Sequence, residues 1–497
     1  MGKEILINVE PQETRLAILE NKVLEEFSVE RIGQKTLVGN VIKGRVNSVV
    51  PAVKAAFVGL GLEKNGYLYL ADIVGMGMDF DSIDKEEEEL KPPRGMQPHQ
   101  SIEQLVKKGQ EVLVQITKEP FGTKGARLTT HISLPGRYIV LLPYDRHLGI
   151  SRRISDDKER QRLKEILRGL EVPKEMGVII RTAGIGQSKR ELGRDLKYLL
   201  GIWRKIKFGA AKKQAPAQLH EEYDLVLRVA RDYLTEDVEK LVIDNRDEYR
   251  KIQHFLSAVA PHLRSKVELY EGDIPLYDRK GIEKDVEKLF ERKVPLRCGG
   301  YIVIEPTEGL VAIDVNSGKF TEKKSLEETA FAVNMEAARE VARQIRLRDL
   351  GGIIVIDFID MMQAGKRRKV FEALTDSLKR DKAKTDVSPL SEICLVEMTR
   401  QRMRRSVESM SFRECPYCQG RGLIKSVSTV SIQALRKVKK YLKETKKKQV
   451  ELLVNPEVTS RLFNEDRQAI ESIERTFHAK IIIKADPLLH VEEMKLI

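Results

Sequence analysis

The chain has 497 residues, with 88 Lys and Arg against 75 Asp and Glu and a formal net charge of +13. This length suffices for about three to five domains, and the positive charge favours an anionic partner such as nucleic acid. No run approaches the roughly 18 apolar residues of a membrane span, the N-terminus lacks the layout of a secretion signal, and four cysteines are too few for a disulfide scaffold. We therefore expect a reduced, cytoplasmic protein without a membrane span.

The N-terminal third predicts two different β structures. Residues 4–34 contain three alternating apolar runs, with a hairpin turn expected at Asn21. The short strands that follow are broken by glycines, a pattern typical of an OB-type barrel. Phe57 and Tyr67 lie in two of these strands, where aromatic rings can stack on unpaired bases, although a core position would equally suit Phe57. Residues 75–101, rich in Gly, Met, Asp and Glu, are expected to be an insertion without a site.

A later apolar run, residues 177–180, ends in Arg181 and Thr182 and continues as Ala-Gly-Ile-Gly. A guanidinium, a hydroxyl and free backbone amides can together bind a phosphate. Arg and Thr also end strands that have no binding role, so the local sequence leaves both interpretations open. Long helical patterns follow over residues 187–211 and 219–236. The end of the chain predicts a strand at 450–454, a helix over about 464–476 and a strand at 480–484.

Two short β-branched runs that end in aspartate are the most informative feature of the chain. Residues 310–313 precede Asp314 and residues 351–356 precede Asp357, and such runs are typical of fully buried strands. The aspartates are 43 residues apart, with helical sequence over 325–348 between them. This spacing predicts a crossover that sets the strands side by side. Both carboxylates would then meet at one sheet edge, where they could share a divalent cation.

The segment Cys415-Pro-Tyr-Cys418 has two opposite interpretations. A Cys-x-x-Cys pair followed by glycines is half of a tetrahedral zinc site, whereas glutaredoxin-like proteins use the same pattern as a redox dithiol at a helix N-terminus. The following Gln-Gly-Arg-Gly suits a tight turn rather than a helix, which favours zinc. Because Cys298 and Cys394 are isolated, the other two ligands are expected from a second copy of the chain. Two thiolates from each of two chains would complete the four ligands of a structural zinc site, which predicts a zinc-bridged homodimer.

Together these motifs make the chain similar to the bacterial ribonuclease E/G endoribonucleases over nearly its whole length. The segments that carry this resemblance are Ala55-Ala-Phe57-Val, Arg181-Thr-Ala-Gly184, Ala312-Ile-Asp314-Val-Asn316-Ser, Arg346-Leu-Arg-Asp-Leu-Gly-Gly352, Ile354-Val-Ile-Asp357-Phe-Ile-Asp360-Met and Cys415-Pro-Tyr-Cys418-Gln-Gly. Because no long tail follows the small C-terminal module, we expect the greater similarity to be to the ribonuclease G branch of the family.

The resemblance implies a multidomain α/β and β fold. Its expected parts are an RNase H-like subdomain split between residues 1–35 and 226–289, an inserted OB-type RNA-binding barrel at 36–124, a 5′-end sensor region at 125–225, a DNase I-like catalytic subdomain at 290–411, a zinc link at 412–425 and a small α/β C-terminal domain at 426–497.

The resemblance also implies roles for individual residues in catalysis and sensing. Asp314 and Asp357 would bind a catalytic Mg²⁺, and Asn316 would orient their carboxylates by hydrogen bonding. Arg181 and Thr182 would form the pocket that binds a 5′-monophosphate on the substrate.

Three further residues, Phe57, Tyr67 and Lys118, would contact RNA on the barrel. Cys415 and Cys418 would hold a structural Zn²⁺ shared by two subunits, and two such dimers would form a tetramer.

The implied activity is magnesium-dependent cleavage of single-stranded RNA that favours 5′-monophosphorylated substrates and leaves 5′-phosphate and 3′-hydroxyl ends. The expected substrates are rRNA precursors and mRNA. The alternative is a non-catalytic RNA-binding or ribosome-assembly protein in which the aspartates are structural. The position of both aspartates at strand ends favours the enzyme.

Overall fold

The computed structural model describes residues 2–31, 36–73, 101–120, 124–318, 326–402, 411–413 and 415–497. The chain divides into two compact units, residues 1–408 and 409–497. Within the described ranges, no helix is long and apolar enough to cross a membrane.

The strands, in chain order, are β1 (Lys3–Val9), β2 (Glu13–Glu20), β3 (Val23–Arg31), β4 (Val41–Val50), β5 (Ala55–Gly59), β6 (Gly66–Tyr69), β7 (Glu111–Lys118), β8 (Arg127–Thr129), β9 (Leu134–Pro135), β10 (Ile139–Leu142), β11 (Leu148–Ile150), β12 (Gly177–Ile180), β13 (Ala217–His220), β14 (Val238–Ile243), β15 (Val267–Leu269), β16 (Lys293–Pro295), β17 (Tyr301–Pro306), β18 (Leu310–Asn316), β19 (Gly352–Asp357), β20 (Thr385–Val387), β21 (Leu395–Arg400), β22 (Gln449–Val454), β23 (Lys480–Ala485) and β24 (Met494–Leu496). The α-helices are α1 (Ile102–Leu105), α2 (Asp157–Arg168), α3 (Lys189–Lys212), α4 (Leu225–Asp232), α5 (Arg246–Val259), α6 (Leu276–Lys280), α7 (Glu283–Glu287), α8 (Leu326–Leu347), α9 (Ala364–Leu378), α10 (Val427–Thr445), α11 (Pro456–Asn464) and α12 (Arg467–Phe477).

The first sheet joins the N-terminal meander to two strands from much later in the chain, in the order β15-β14-β1-β2-β3. The strands β1, β2 and β3 are antiparallel, and β14 runs parallel to β1. The predicted turn at Asn21 is confirmed, since Asn21 and Lys22 both have positive φ, 50° and 67°, as a tight type I′ hairpin requires. Residues 3–31 and 238–269 therefore share one sheet, which is the pairing that a split subdomain needs.

Five strands close a barrel in the order β4-β5-β6-β8-β7, because β7 also pairs with β4. The strand β13 extends the sheet beyond the closed barrel, since it pairs with residues 41–43 at the start of β4. The strand β8 lies beyond the barrel boundary predicted at residue 124, because closure requires a strand that pairs with both β6 and β7. Except for Ser101, the predicted insertion at 75–101 falls outside the described residues.

A four-stranded sheet, β11-β12-β10-β9, follows the barrel and packs with α2 and α3. The buried carboxylate of Asp195 on α3 accepts hydrogen bonds from the amides of residues 137–139, which fixes the helix to the start of β10. The helix predicted over 187–211 is confirmed as α3. The first part of the helix predicted over 219–236 is wrong, because β13 occupies Ala217–His220 and α4 begins only after its N-cap, Asp224.

The next sheet has the order β16-β17-β18-β19-β21-β20, and α8 connects the parallel strands β18 and β19. The predicted crossover is therefore confirmed. The prediction that both strands are fully buried is wrong, because α8 and α9 pack against one face only. Ile313 and Ile356 are buried on that face, whereas Ile353 is 51% exposed on the other.

The second unit contains a small α/β module in which α10, α11 and α12 pack with the sheet β23-β22-β24. The strands predicted at residues 450–454 and 480–484 are confirmed as β22 and β23. The helix predicted over 464–476 corresponds to α12. Three further elements, α10, α11 and β24, were not predicted: the sequence of α10 indicates only a basic stretch, and α11 and β24 are short.

Candidate active site

The two aspartates lie side by side on the open face of the six-stranded sheet. Asp314 of β18 pairs in register with Asp357 of β19, and both side chains are exposed. The buried neighbours Ile313 and Ile356 point into the core on the other face, as alternation along a strand requires. The carboxylates thus meet as predicted, but they project from the face of the sheet rather than from its edge.

The surroundings of this aspartate pair suit a cation. Asn316 donates a hydrogen bond from Nδ2 to Oδ2 of Asp314 at 2.6 Å, because residues two apart on a strand share a face. Burial, together with repulsion from Asp314 and Asp360, raises the pKa of the Asp357 carboxyl. A bound cation would relieve this repulsion, since opposite charge favours the ionised form of a carboxyl group.

Among the described residues, no group of three or more His, Cys, Asp or Glu side chains is placed to hold a metal ion. The aspartate pair offers only two carboxylates and an adjacent amide. Mg²⁺ commonly takes one or two protein carboxylates and completes its shell with water and phosphate oxygens. The oxygen donors of this site therefore fit Mg²⁺ in chemical type and in number.

Two residues beside the aspartate pair were not identified from the sequence. Tyr301 of β17 pairs across the sheet with Asn316. The Lys293 ammonium lies 3.6 Å from the centre of the Tyr301 ring. This arrangement has no signal in the sequence, because it depends on the register between β17 and β18.

The residues predicted to contact RNA form a row across four barrel strands. Phe57 pairs with Tyr67, Tyr67 pairs with Arg127, and Arg127 pairs with Lys118. All four are half-buried, so Phe57 is not confined to the core. The more exposed Tyr69 extends the row: its ring centre is 5.2 Å from that of Tyr67, and the Arg127 guanidinium lies 5.5 Å from it. Arg127 and Tyr69 were missed, because only the closed barrel brings β8 beside β6.

The predicted phosphate site after β12 differs from expectation in its backbone. Its amides are not free: the N–H groups of residues 184, 185 and 187 donate to carbonyls within the turn, and that of Gly186 donates to the Glu159 carboxylate at 2.8 Å. Hydrogen bonds from Arg162 chiefly hold the pKa of Glu159 at about 2, so this acceptor stays ionised. The prediction of free amides is therefore wrong for residues 184–187. Among the described residues, the amides of Thr182 and Ala183, at the start of this turn, have no acceptor.

The Arg181 guanidinium already has partners within the protein. It pairs with the Asp232 carboxylate at 2.7 Å and donates to the Gly136 carbonyl. Burial alone would raise the pKa of Asp232, but Arg231 and Arg181 outweigh burial and lower it to about 2. The Arg181 side chain remains 29% exposed, and Thr182 beside it is exposed. An incoming phosphate would therefore share Arg181 with Asp232.

The cysteine pair forms a turn in which backbone N–H groups point at sulfur. The amides of Cys418 and Tyr417 lower the pKa of the Cys415 thiol, and the amide of Gly422 donates to Sγ of Cys418 at 3.3 Å. Gln419 has φ of 51°, which produces the tight turn expected from the sequence. A redox dithiol of the glutaredoxin type lies at a helix N-terminus, whereas α10 begins at Val427, beyond this turn.

A histidine from the end of the chain holds this turn in place. His490 donates from Nε2 to the Tyr417 carbonyl at 2.7 Å, and the two rings pack with centres 4.1 Å apart. Nδ1 of His490 accepts from the amide of Glu492 at 3.1 Å. The cysteine turn is thereby fixed to the α/β module, a contact that the sequence did not indicate.

Comparisons with known proteins identify the family. A family model described as "Ribonuclease E/G family" matches residues 133–403, and ribonuclease G of Escherichia coli (strain K12) is 37% identical over 497 residues, which covers 100% of both chains. The chain belongs to the ribonuclease E/G family. Ribonuclease G of Haemophilus influenzae is 37% identical over 495 residues, 99% of both chains. Ribonuclease E of the same organism is 40% identical over 483 residues, 97% of this chain and 50% of that protein.

Membership of the ribonuclease E/G family confirms the resemblance drawn from the motifs, including the similarity to ribonuclease G. The family match covers the strands that carry Asp314 and Asp357 as well as Arg181. A second model, described as "RNase E/G, Thioredoxin-like domain", matches residues 414–497. The cysteine pair lies at the start of that match, before the strands β22, β23 and β24. The turn that contains the two cysteines ends before α10 begins at Val427.

Proposed function

We propose that this member of the ribonuclease E/G family is a magnesium-dependent endoribonuclease that cleaves single-stranded RNA in the cytoplasm. It favours 5′-monophosphorylated substrates and leaves 5′-phosphate and 3′-hydroxyl ends. Its substrates are rRNA precursors and mRNA. The observation that carries this proposal is the in-register pair of exposed carboxylates, Asp314 and Asp357, on a face that the helices leave open.

The aspartate pair would hold Mg²⁺, since its donors are oxygens and its like charges repel each other without a cation. When bound, the ion would neutralise charge on the scissile phosphate and make a bound water more acidic. Asn316 keeps the Asp314 carboxylate in one orientation through its hydrogen bond. Because Asp314, Asp357 and Ile353 are exposed on this face, an RNA strand could reach the aspartate pair.

The row on the barrel would select unpaired RNA. Stacking on Phe57 and Tyr67 requires a free base face, which a duplex does not offer. Lys118 and Arg127 lie in the same row and would attract the phosphates. This arrangement supports single-stranded rather than double-stranded substrates.

The first experiment uses a short single-stranded RNA labelled at its 3′ end and carrying either a 5′-monophosphate or a 5′-hydroxyl. Each RNA is incubated with the protein in Mg²⁺ or in EDTA. Internal cuts that need Mg²⁺ and are faster on the monophosphate are expected. Equal cleavage rates on the two RNAs would support the nuclease activity but not the 5′-end sensor. Binding without cleavage would indicate a non-catalytic RNA-binding protein.

The Phe57→Ala variant is expected to bind single-stranded RNA more weakly by about 1–3 kcal/mol, the contribution of one stacked base. The rate at saturating RNA should change little, because Phe57 lies on the barrel and the aspartates lie on another sheet. Fluorescence anisotropy in EDTA measures the affinity without cleavage. Phe463→Ala, which removes a 52% exposed ring from α11, is the matched control. Unchanged affinity of Phe57→Ala would mean that the barrel row does not bind RNA.

The Arg181→Gln variant is expected to lose the preference for a 5′-monophosphate while cleaving 5′-hydroxyl RNA at the wild-type rate. The fold should persist, because Asp232 keeps its ion pair with Arg231 at 2.9 Å. The ratio of kcat/KM for the two RNAs is the measurement. Arg190→Gln, which removes an exposed charge from the nearby start of α3, is the control. A preference that survives Arg181→Gln would place the sensor elsewhere.

We also propose that Cys415 and Cys418 hold a structural Zn²⁺ with the same residues of a second subunit. The amides that point at both sulfurs support thiolate ligands, and structural zinc usually takes four protein ligands. One chain supplies two thiolates here, so a shared ion would link a homodimer. Two such dimers would form the tetramer that the family resemblance implies.

A further inference from the structure

The C-terminal half of α3 carries a strongly basic surface that the proposed reaction does not use. Residues 196–220 contain six Lys and Arg and no Asp or Glu. The exposed cations in the last turns of the helix are Arg204, Lys205, Lys207 and Lys212. Across the part of the chain that the structure describes, none of these four forms an ion pair with a carboxylate. The charge of this surface is therefore available to a partner.

An exposed aromatic ring lies among these cations. Phe208 is 62% exposed, and the Lys212 ammonium lies 4.2 Å from the centre of its ring. The opposite side of the helix is packed, since Trp203 and Ile206 are buried. A Cβ on Gly209 would lie 3.1 Å from the Leu219 side chain, so this turn already sits against β13. Phe208 therefore faces outward as a result of how the helix packs.

This surface is continuous with the barrel. The Lys213 carbonyl, just after α3, accepts a hydrogen bond from Lys43 of β4 at 2.9 Å. The next segment packs Pro216 beside Gly61, which follows β5. It then pairs Ala217 with Lys43 as β13 joins the barrel sheet. An RNA strand that leaves the barrel on this side would meet the basic end of α3.

We propose that Phe208 and the four cations around it form a second platform for single-stranded RNA. This surface, the α3 platform, binds the part of the RNA that extends beyond the barrel row. Cations that track phosphates around an exposed ring on which a base stacks are the combination that sequence-independent single-strand binding uses. A duplex would offer charge but no base face, so the ring favours unpaired RNA. The inference rests on the proposed RNA substrate.

The test compares binding of two fluorescent single-stranded RNAs in EDTA, one of about 8 and one of about 30 nucleotides, since an OB-type fold covers roughly 4–16 nucleotides. Phe208→Ala is expected to weaken binding of the long RNA about fivefold or more, the effect of one lost stacking contact, and to spare the short RNA. Phe208→Tyr should restore the affinity. The triple variant Arg204→Gln, Lys205→Gln, Lys207→Gln should reduce the slope of log affinity against log salt by about 2, at roughly 0.7 per phosphate contact.

The matched control is the triple variant Lys158→Gln, Lys164→Gln, Arg168→Gln, which removes three exposed charges from α2, where acidic residues alternate with them. Equal effects of the two triple variants, with no effect of Phe208→Ala, would overturn the α3 platform and leave the proposed nuclease intact. If the α3 variants lose binding to phosphatidylglycerol vesicles but keep the RNA affinity of the wild type, the surface would bind a lipid headgroup and the RNA platform would be overturned. A wild-type chain that binds neither RNA would instead overturn the proposed function itself.

Discussion

The Asp314→Asn and Asp357→Asn variants are each expected to cleave single-stranded RNA at least about a thousandfold more slowly than the wild type, which corresponds to roughly 4 kcal/mol of lost transition-state stabilisation. Asparagine keeps the size of the side chain but removes the charge that would hold Mg²⁺. RNA affinity in EDTA should be unchanged or slightly higher, because one negative charge beside the substrate is gone. Single-turnover cleavage and anisotropy provide the two measurements.

The Asp357→Asn variant should fold at least as stably as the wild type, and Asp314→Asn keeps an oxygen that can accept the hydrogen bond from Asn316. A carboxyl whose pKa is raised in the folded state opposes folding once it is ionised, and the pKa of Asp357 is raised by burial and by its acidic neighbours. Asp386→Asn, which neutralises an exposed carboxylate on β20 of the same sheet, is the control and should cleave normally. Near wild-type cleavage by either aspartate variant would show that this pair is not the catalytic site.

The meeting of the two aspartates could be predicted because it follows from a topological rule. Two buried β-branched runs separated by a helix of about 20 residues are most simply joined as neighbouring parallel strands. The register that places Asp314 beside Asp357 agrees with this rule. What the sequence did not show is which face of the sheet the helices would leave open. That depends on where α8 and α9 pack, and it decides that the carboxylates lie on a face.

The region after β12 shows why the local sequence was a poor guide to which groups of the phosphate site already have hydrogen-bond partners. The residues after β12 look free when they are considered alone. Glu159 lies 27 residues earlier in the chain and binds the amide of Gly186. Asp232 lies on another helix and binds Arg181. Hydrogen bonds between distant segments leave no periodic signal, so only the folded structure shows that the Gly186 amide and the Arg181 guanidinium already have partners.

The double variant Cys415→Ser, Cys418→Ser is expected to lose all bound zinc and to halve the mass of the assembly, so that a zinc-linked dimer becomes a monomer and a tetramer becomes a dimer. The wild type should contain one zinc ion per two chains, because each chain supplies two of four thiolates. The effect should be large, since structural zinc contributes on the order of 10 kcal/mol in small zinc-binding peptides. Sedimentation velocity measures the mass, and elemental analysis measures the zinc. A strong chelator should have the same effect on the wild type.

Loss of the dimer in this variant should not reflect unfolding of the C-terminal module. The core of that module, which includes Val438, Leu452 and Ile473, is fully buried without any contribution from the cysteines. The thermal unfolding of the monomer should therefore remain cooperative. Cys298→Ser, which removes a half-buried thiol from the other unit, is the control and should retain zinc and dimer. One zinc ion per chain, or a zinc-free assembly of unchanged mass, would contradict the shared site, because either result would mean that the four ligands or the contacts between chains lie elsewhere.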